Sequence, residues 1–126
     1  MFNSIFGFQQ RTPAAFRGTQ TRTAVQNMTP AQLQEQLQSD KKPFVLDVRF
    51  PDEYAQGHIA GSRLLPLPNL RQRMEELSKD TPIVCVCRSG NRSMVACEQL
   101  AQAGFKELYN LSSGMMGWHR LGLPTA

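Results

Sequence analysis

The chain has 126 residues, 40% hydrophobic and 8% aromatic, which suits one domain with a genuine core and excludes a disordered chain. The net charge of +4 is uneven: residues 1–24 hold Arg11, Arg17 and Arg22 and no acid, so the remainder is close to neutral. There is no basic stripe interleaved with aromatics to bind nucleic acid, and no stretch approaches the roughly 18 apolar residues of a membrane span.

Residues 1–23 are rich in Gln, Thr, Gly and Arg, contain Pro13 and lack a helical apolar period, so they read as a flexible tail. Met1–Phe8 has no basic lead and no long apolar run, which makes it a poor secretory signal. The acid-free, Ser/Thr-containing composition leaves an organelle transit peptide as the alternative to a plain tail. The folded domain is expected over residues 24–126.

Ala24–Met28 is a short extended piece leading to Thr29 as N-cap and Pro30 as first helical residue. Leu33 and Leu37 repeat at helical spacing and predict an amphipathic helix over 30–39. Phe44–Arg49 is an apolar run ending in charges, as a strand buried on both faces would read. Pro51–Ala55 makes a short helical turn, Gly57–Ser62 a loop and Arg63–Leu65 a short strand. Asn69 is expected to cap a helix with Leu70, Met74 and Leu77 on one face. Thr81-Pro82 introduces a strand over Ile83–Val86, residues 92–103 form a helix stopped by Gly104, Glu107–Leu111 is the last strand, and a short helix surrounds Trp118. Strands alternating with helices at this spacing predict an α/β fold with a parallel sheet covered on both faces. Ligands bind such sheets outside the carboxyl ends of the strands.

Cys87 stands at that edge. The strand Ile83–Val86 runs into Cys87-Arg88-Ser89-Gly90-Asn91-Arg92-Ser93 and then into a helix. A cysteine at a strand-to-helix junction meets free N–H groups and the positive end of a helix dipole, which favour the thiolate. Arg88 and Arg92 add bidentate oxyanion-binding groups, so the pattern suggests a thiolate attacking an anionic, oxygen-rich substrate. The alternative is a buried strand cysteine before an ordinary basic turn. Gly90 is expected to turn backbone N–H groups inward, Ser89 and Asn91 to contribute amides, and Ser93 to do the same and help cap the helix. Arg92 either faces the anion or braces the loop against an acid such as Asp47.

The other candidates read as structural. Cys85 lies on the same strand face as Cys87, two residues away, and Cys97 falls one turn into the helix; both suit the core. His58 and His119 have no partners at metal-ligand spacing. Asp47 and Arg49 read as an ion pair or turn, and Trp118 as a packing anchor. Three cysteines are too few for a disulfide framework, and a reactive thiol among them points to a reducing compartment, hence a cytoplasmic location.

Three ordered blocks resemble the single-domain rhodanese (thiosulfate sulfurtransferase-like) family. They are Leu46-Asp47-Val48-Arg49 with Glu53-Tyr54 and Gly57–Ser62; Cys87–Ser93; and Gly114–Trp118 closing with Gly122-Leu123-Pro124. Ala60 and Ser113 depart from the common proline and glycine. The resemblance spans roughly residues 25–124. It implies a rhodanese-like fold, with about five parallel strands and helices on both faces, and a catalytic Cys87 that becomes a persulfide. Arg88, Ser89, Gly90, Asn91, Arg92 and Ser93 would bind substrate, with Arg88 orienting the sulfonate end of a donor. It further implies transfer of sulfane sulfur from thiosulfate or a related small anion to cyanide, a thiol or a protein acceptor, without metal or organic cofactor. Two alternatives stand beside it: a cysteine-dependent phosphatase or arsenate reductase of the same fold, and a non-catalytic binding module or sulfur carrier. Loop length separates the enzymes. Four residues lie between Cys87 and Arg92, where the phosphatase pattern has five and a wider cradle.

Overall fold

The computed structural model describes residues 22–126, so most of the expected tail lies outside the described residues. Thr23, assigned to that tail by composition, already donates its hydroxyl hydrogen to the Phe105 carbonyl. The elements then follow in the expected order. They are β1 (Val25–Met28), α1 (Pro30–Leu37), β2 (Phe44–Asp47), α2 (Pro51–Ala55), β3 (Arg63–Leu64), α3 (Leu70–Arg73), β4 (Ile83–Val86), α4 (Asn91–Gln102), β5 (Leu108–Leu111) and α5 (Gly114–Arg120). The five strands form one parallel sheet in the order β1-β5-β4-β2-β3.

The sheet is buried on both faces because successive strand residues feed two cores. Val45, Val84, Val86 and Leu111 join Leu33 of α1 and Met115 and Trp118 of α5 on one side. Leu46, Ile83, Cys85 and Leu108 join Leu70, Cys97, Leu100 and Phe105 on the other. Cys87 continues the second set, so its side chain points toward α4. No helix among the described residues is long and apolar enough to cross a membrane.

Local sequence explains most boundaries. Thr29 and Gln32 form a reciprocal capping box, with Gln32 N–H to Thr29 Oγ1 at 3.1 Å and Thr29 N–H to Gln32 Oε1 at 2.9 Å. The expected helix after Asn69 is cut to one α-turn between two 3-10 turns, and the Asn69 side chain makes no cap. Pro66 and Pro68 open the segment as a 3-10 turn, and Arg73 leaves helical geometry while its guanidinium pairs with Glu76. Leu70 and Leu77 are nonetheless buried and Met74 packs against them, so the apolar face is the expected one. Trp118 anchors the final helix, its indole N–H donating to the Pro124 carbonyl at 2.9 Å. His58 stacks on Tyr54 with ring centroids 3.7 Å apart.

Candidate active site

The carboxyl ends of β2, β4 and β5 converge on the loop from Cys87 to Ser93. Gly90, at φ +104°, immediately precedes α4, whose first turn supplies Asn91, Arg92 and Ser93. Its N–H donates to Cys87 Sγ at 3.1 Å, and the Ser93 hydroxyl lies 3.3 Å from the same sulfur. Burial pushes the Cys87 thiol up, but the Ser93 hydroxyl and the N–H groups of Ser93, Gly90 and Ser89 more than offset this, leaving it below its ordinary value. Cys85 shows the reverse. Contact with Cys97 and full burial hold it well above its ordinary value. Cys85 in β4 and Cys87 just beyond it are thus shifted in opposite directions by their surroundings.

A second loop locks the first from behind. The opening N–H groups of α5 donate to it, Met115 to the Cys87 carbonyl at 2.8 Å and Met116 to the Arg88 carbonyl at 3.0 Å. This approach needs glycine at two points. A Cβ at Gly90 would lie 2.5 Å from the Ser112 carbonyl oxygen, and one at Gly114 2.4 Å from that of Arg88.

The two loop arginines differ. Arg88 is exposed, makes no ion pair among the described residues, and lines a cavity of about 270 Å³ with Glu53, Met115, Met116 and His119. Arg92 places its two terminal nitrogens on the two carboxylate oxygens of Glu53, each at 2.8 Å. Of the two roles open to Arg92, this pairing favours the brace over the substrate contact, and the acid is Glu53 rather than Asp47. Asp47 is taken by Arg49, whose Nη2 lies 2.7 Å from its carboxylate and also donates to the Gly57 carbonyl at 3.0 Å. Ser93 does not cap α4; its side chain is turned toward Cys87 and Asn110. Ser89 and Asn91 are exposed on the loop's outer side.

Arg92 holds the Glu53 carboxyl at about 2, against an ordinary 4.5. A carboxyl depressed in the fold stabilises it fully above its unfolded value, and that contribution fades as pH falls toward the folded one. Both side chains are about 30% exposed, so the pair is worth at most about 1 kcal/mol. Glu53→Gln is thus expected to lower urea stability by up to that amount near neutrality and by progressively less as pH falls from about 4.5 to about 2. An equal deficit across that range would contradict the pairing.

Asn110 on β5 was not singled out from the sequence. It is 4% exposed, accepts the Ser93 hydroxyl hydrogen, and donates from Nδ2 to the Gly90 carbonyl at 3.0 Å. A polar residue at a buried position inside a predicted strand was the available clue.

A parallel sheet with a thiol cradled in a six-residue loop defines a class of α/β fold, and comparison places the chain within it. The family model for the rhodanese-like domain matches residues 29–121, and the protein belongs to that family. A sulfurtransferase of Allochromatium vinosum is 40% identical over 92 residues, covering 73% of this chain and 86% of that protein. Thiosulfate sulfurtransferase GlpE of Pseudoalteromonas translucida is 36% identical over 96 residues, covering 75% and 90%. The crystal structure of a rhodanese-related protein from Thermoplasma volcanium is 32% identical, with a TM-score of 0.71 over 80% of this chain and 97% of that one.

Proposed function

We propose that the protein is a sulfurtransferase that carries sulfane sulfur on Cys87 as a persulfide. The observation that carries this reading is the cradle around one sulfur atom, with Gly90 N–H at 3.1 Å and Ser93 Oγ at 3.3 Å from Cys87 Sγ. The thiolate attacks the outer sulfur of thiosulfate, the S–S bond of the donor breaks, and sulfite leaves with the electron pair. The product is a Cys87 persulfide anion, whose outer sulfur is then taken by cyanide or a thiolate, returning the Cys87 thiolate. Loop amides stabilise the charge at each stage. Arg88 holds the sulfonate oxygens of the donor at the mouth of the adjoining cavity.

The phosphatase reading fits less well. Four residues between Cys87 and Arg92 make a tight loop, and Arg92 directs both terminal nitrogens at Glu53 rather than at an anion over the thiol. The test is a single turnover without acceptor. Thiosulfate should release one sulfite per protein, whereas para-nitrophenyl phosphate should be left intact. Phosphate ester hydrolysis without sulfite release would replace this reading with the phosphatase one.

Arg88→Ala should raise the thiosulfate KM about ten- to a hundredfold, the worth of a charged hydrogen bond of roughly 1.5–3 kcal/mol. Its melting temperature should barely change, because Arg88 is exposed and makes no ion pair among the described residues. A falling kcat with constant KM would place Arg88 on the transition state instead.

A further inference from the structure

We propose that Asn110 is a positioning residue that acts through Ser93 and decides whether the hydroxyl hydrogen beside Cys87 points toward the carboxamide or toward the sulfur. Hydrogen counting carries the argument. Asn110 Nδ2 lies 3.0 Å from the Gly90 carbonyl oxygen. Reversing the amide would set two oxygens against each other, so Oδ1 must face Ser93. The Ser93 hydroxyl has one hydrogen, and it goes to that oxygen. Toward Cys87, 3.3 Å away, Ser93 can then only accept, which makes the thiol S–H the donor. The Gly90 N–H donating to Sγ completes a ring through Cys87, Ser93, Asn110 and Gly90.

Ionisation breaks this ring. The thiolate has no hydrogen to give and needs one, so the Ser93 hydroxyl must turn to the sulfur. That strands Asn110 Oδ1, and with Ser93 at 0% and Asn110 at 4% exposure no solvent is at hand to replace it. Asn110 therefore opposes the bare thiolate and favours states in which Sγ carries no charge. These are the thiol and, resting on the proposed function above, the persulfide, whose charge sits on the outer sulfur.

Loss of Asn110 should not simply loosen the loop. The Gly90 carbonyl also accepts the Met94 N–H at 3.3 Å, and Gly90 stays packed on the Ser112 carbonyl. The charged and titratable neighbours are Arg88 in the loop, Arg92 of α4 on Glu53 of α2, Asp47 at the end of β2 with Arg49, Cys85 on β4, and His119 of α5 across the cavity. Glu53 titrates at about 2 and Cys85 well above the ordinary thiol value, so neither interferes near neutrality. His119 is removed by working in a His119→Gln background.

The experiment is the pH profile of iodoacetamide labelling at Cys87. Asn110→Leu is expected to lower the midpoint by roughly one pH unit, the worth of one released hydrogen bond. Ser93→Ala is expected to raise it, and adding Asn110→Leu to Ser93→Ala should change nothing further. A merely structural asparagine would loosen the cradle and raise the midpoint. An unchanged or raised midpoint in Asn110→Leu, or a fall that persists without the Ser93 hydroxyl, overturns the proposal. A second measurement does not depend on that variant folding. In the otherwise unmutated chain, the side-chain amide NMR signals of Asn110 should shift with the Cys87 midpoint, and Ser93→Ala should abolish the shift. A silent amide, or a shift that survives in Ser93→Ala, also overturns it. Labelling reads the thiol whether or not sulfur is ever transferred, so this inference and the sulfurtransferase reading fail separately.

Discussion

Cys87→Ser is expected to reduce thiocyanate formation from thiosulfate and cyanide to background, while Cys85→Ser and Cys97→Ser retain turnover. All three thiols are free and buried, so burial alone does not separate them. Their surroundings do. Cys87 Sγ receives the Gly90 N–H and faces Ser93, whereas Cys97 donates to the Tyr109 carbonyl at 3.3 Å and Cys85 sits in contact with Cys97. A hydroxyl in place of the Cys87 sulfur lacks the acidity and the polarisable nucleophile. The Cys85 and Cys97 variants each put a hydroxyl where a thiol packed, at a cost of about 1–3 kcal/mol in stability. Turnover by Cys87→Ser, or loss of it in a well-folded Cys85→Ser, would contradict the assignment.

Gly114→Ala is expected to be the most damaging single-methyl change at the site. At φ +60° a non-glycine residue costs about 1–2 kcal/mol. The added Cβ would also stand 2.4 Å from the Arg88 carbonyl oxygen and 2.6 Å from that of Cys87, both backbone atoms that cannot swing aside. Overpacking of this kind adds about 1–3 kcal/mol. Relief would require α5 to withdraw its N–H groups from the Cys87 and Arg88 carbonyls and free the loop. Gly61→Ala is the control: φ is +83° and nothing lies within 4 Å of the added atom, so only the conformational cost remains. Thermal melts should show a fall for Gly114→Ala roughly twice that for Gly61→Ala, with sulfur transfer lost only in the former. Equal falls with activity intact in both would mean that the two loops can separate without consequence.

Much of this architecture was readable from residue pattern because local rules and tertiary packing agree. Phe44–Leu46 and Ile83–Val86 are continuous apolar runs, and the structure buries them on both faces. Thr29-Pro30 opens a helix, and the step from Val86 to Gly90 puts a cysteine under a helix N-terminus. The helix after Asn69 was overestimated, since its apolar spacing could not reveal that Arg73 would leave helical geometry.

Within the loop, the sequence showed the residue types but not their partners. Two arginines near a thiol look alike in sequence, and only the fold brings Glu53, 39 positions earlier, against Arg92. The loop amides were expected to favour the thiolate; the Ser93 hydroxyl, expected only to help cap the helix, joins them in holding the thiol down. The role of Asn110 was hidden for the same reason. A strand asparagine acquires meaning only when the parallel register sets it opposite Cys85, with its carboxamide reaching Ser93 and Gly90.

Intact-mass spectrometry after exposure to thiosulfate reads out whether Cys87 carries sulfur covalently, as proposed. The expected result is a gain of one sulfur atom, mapped to the peptide containing Cys87, absent in Cys87→Ser and removed by cyanide. An unchanged mass under conditions where the thiol is labelled by iodoacetamide, or a sulfur atom found on Cys85 or Cys97, would contradict it.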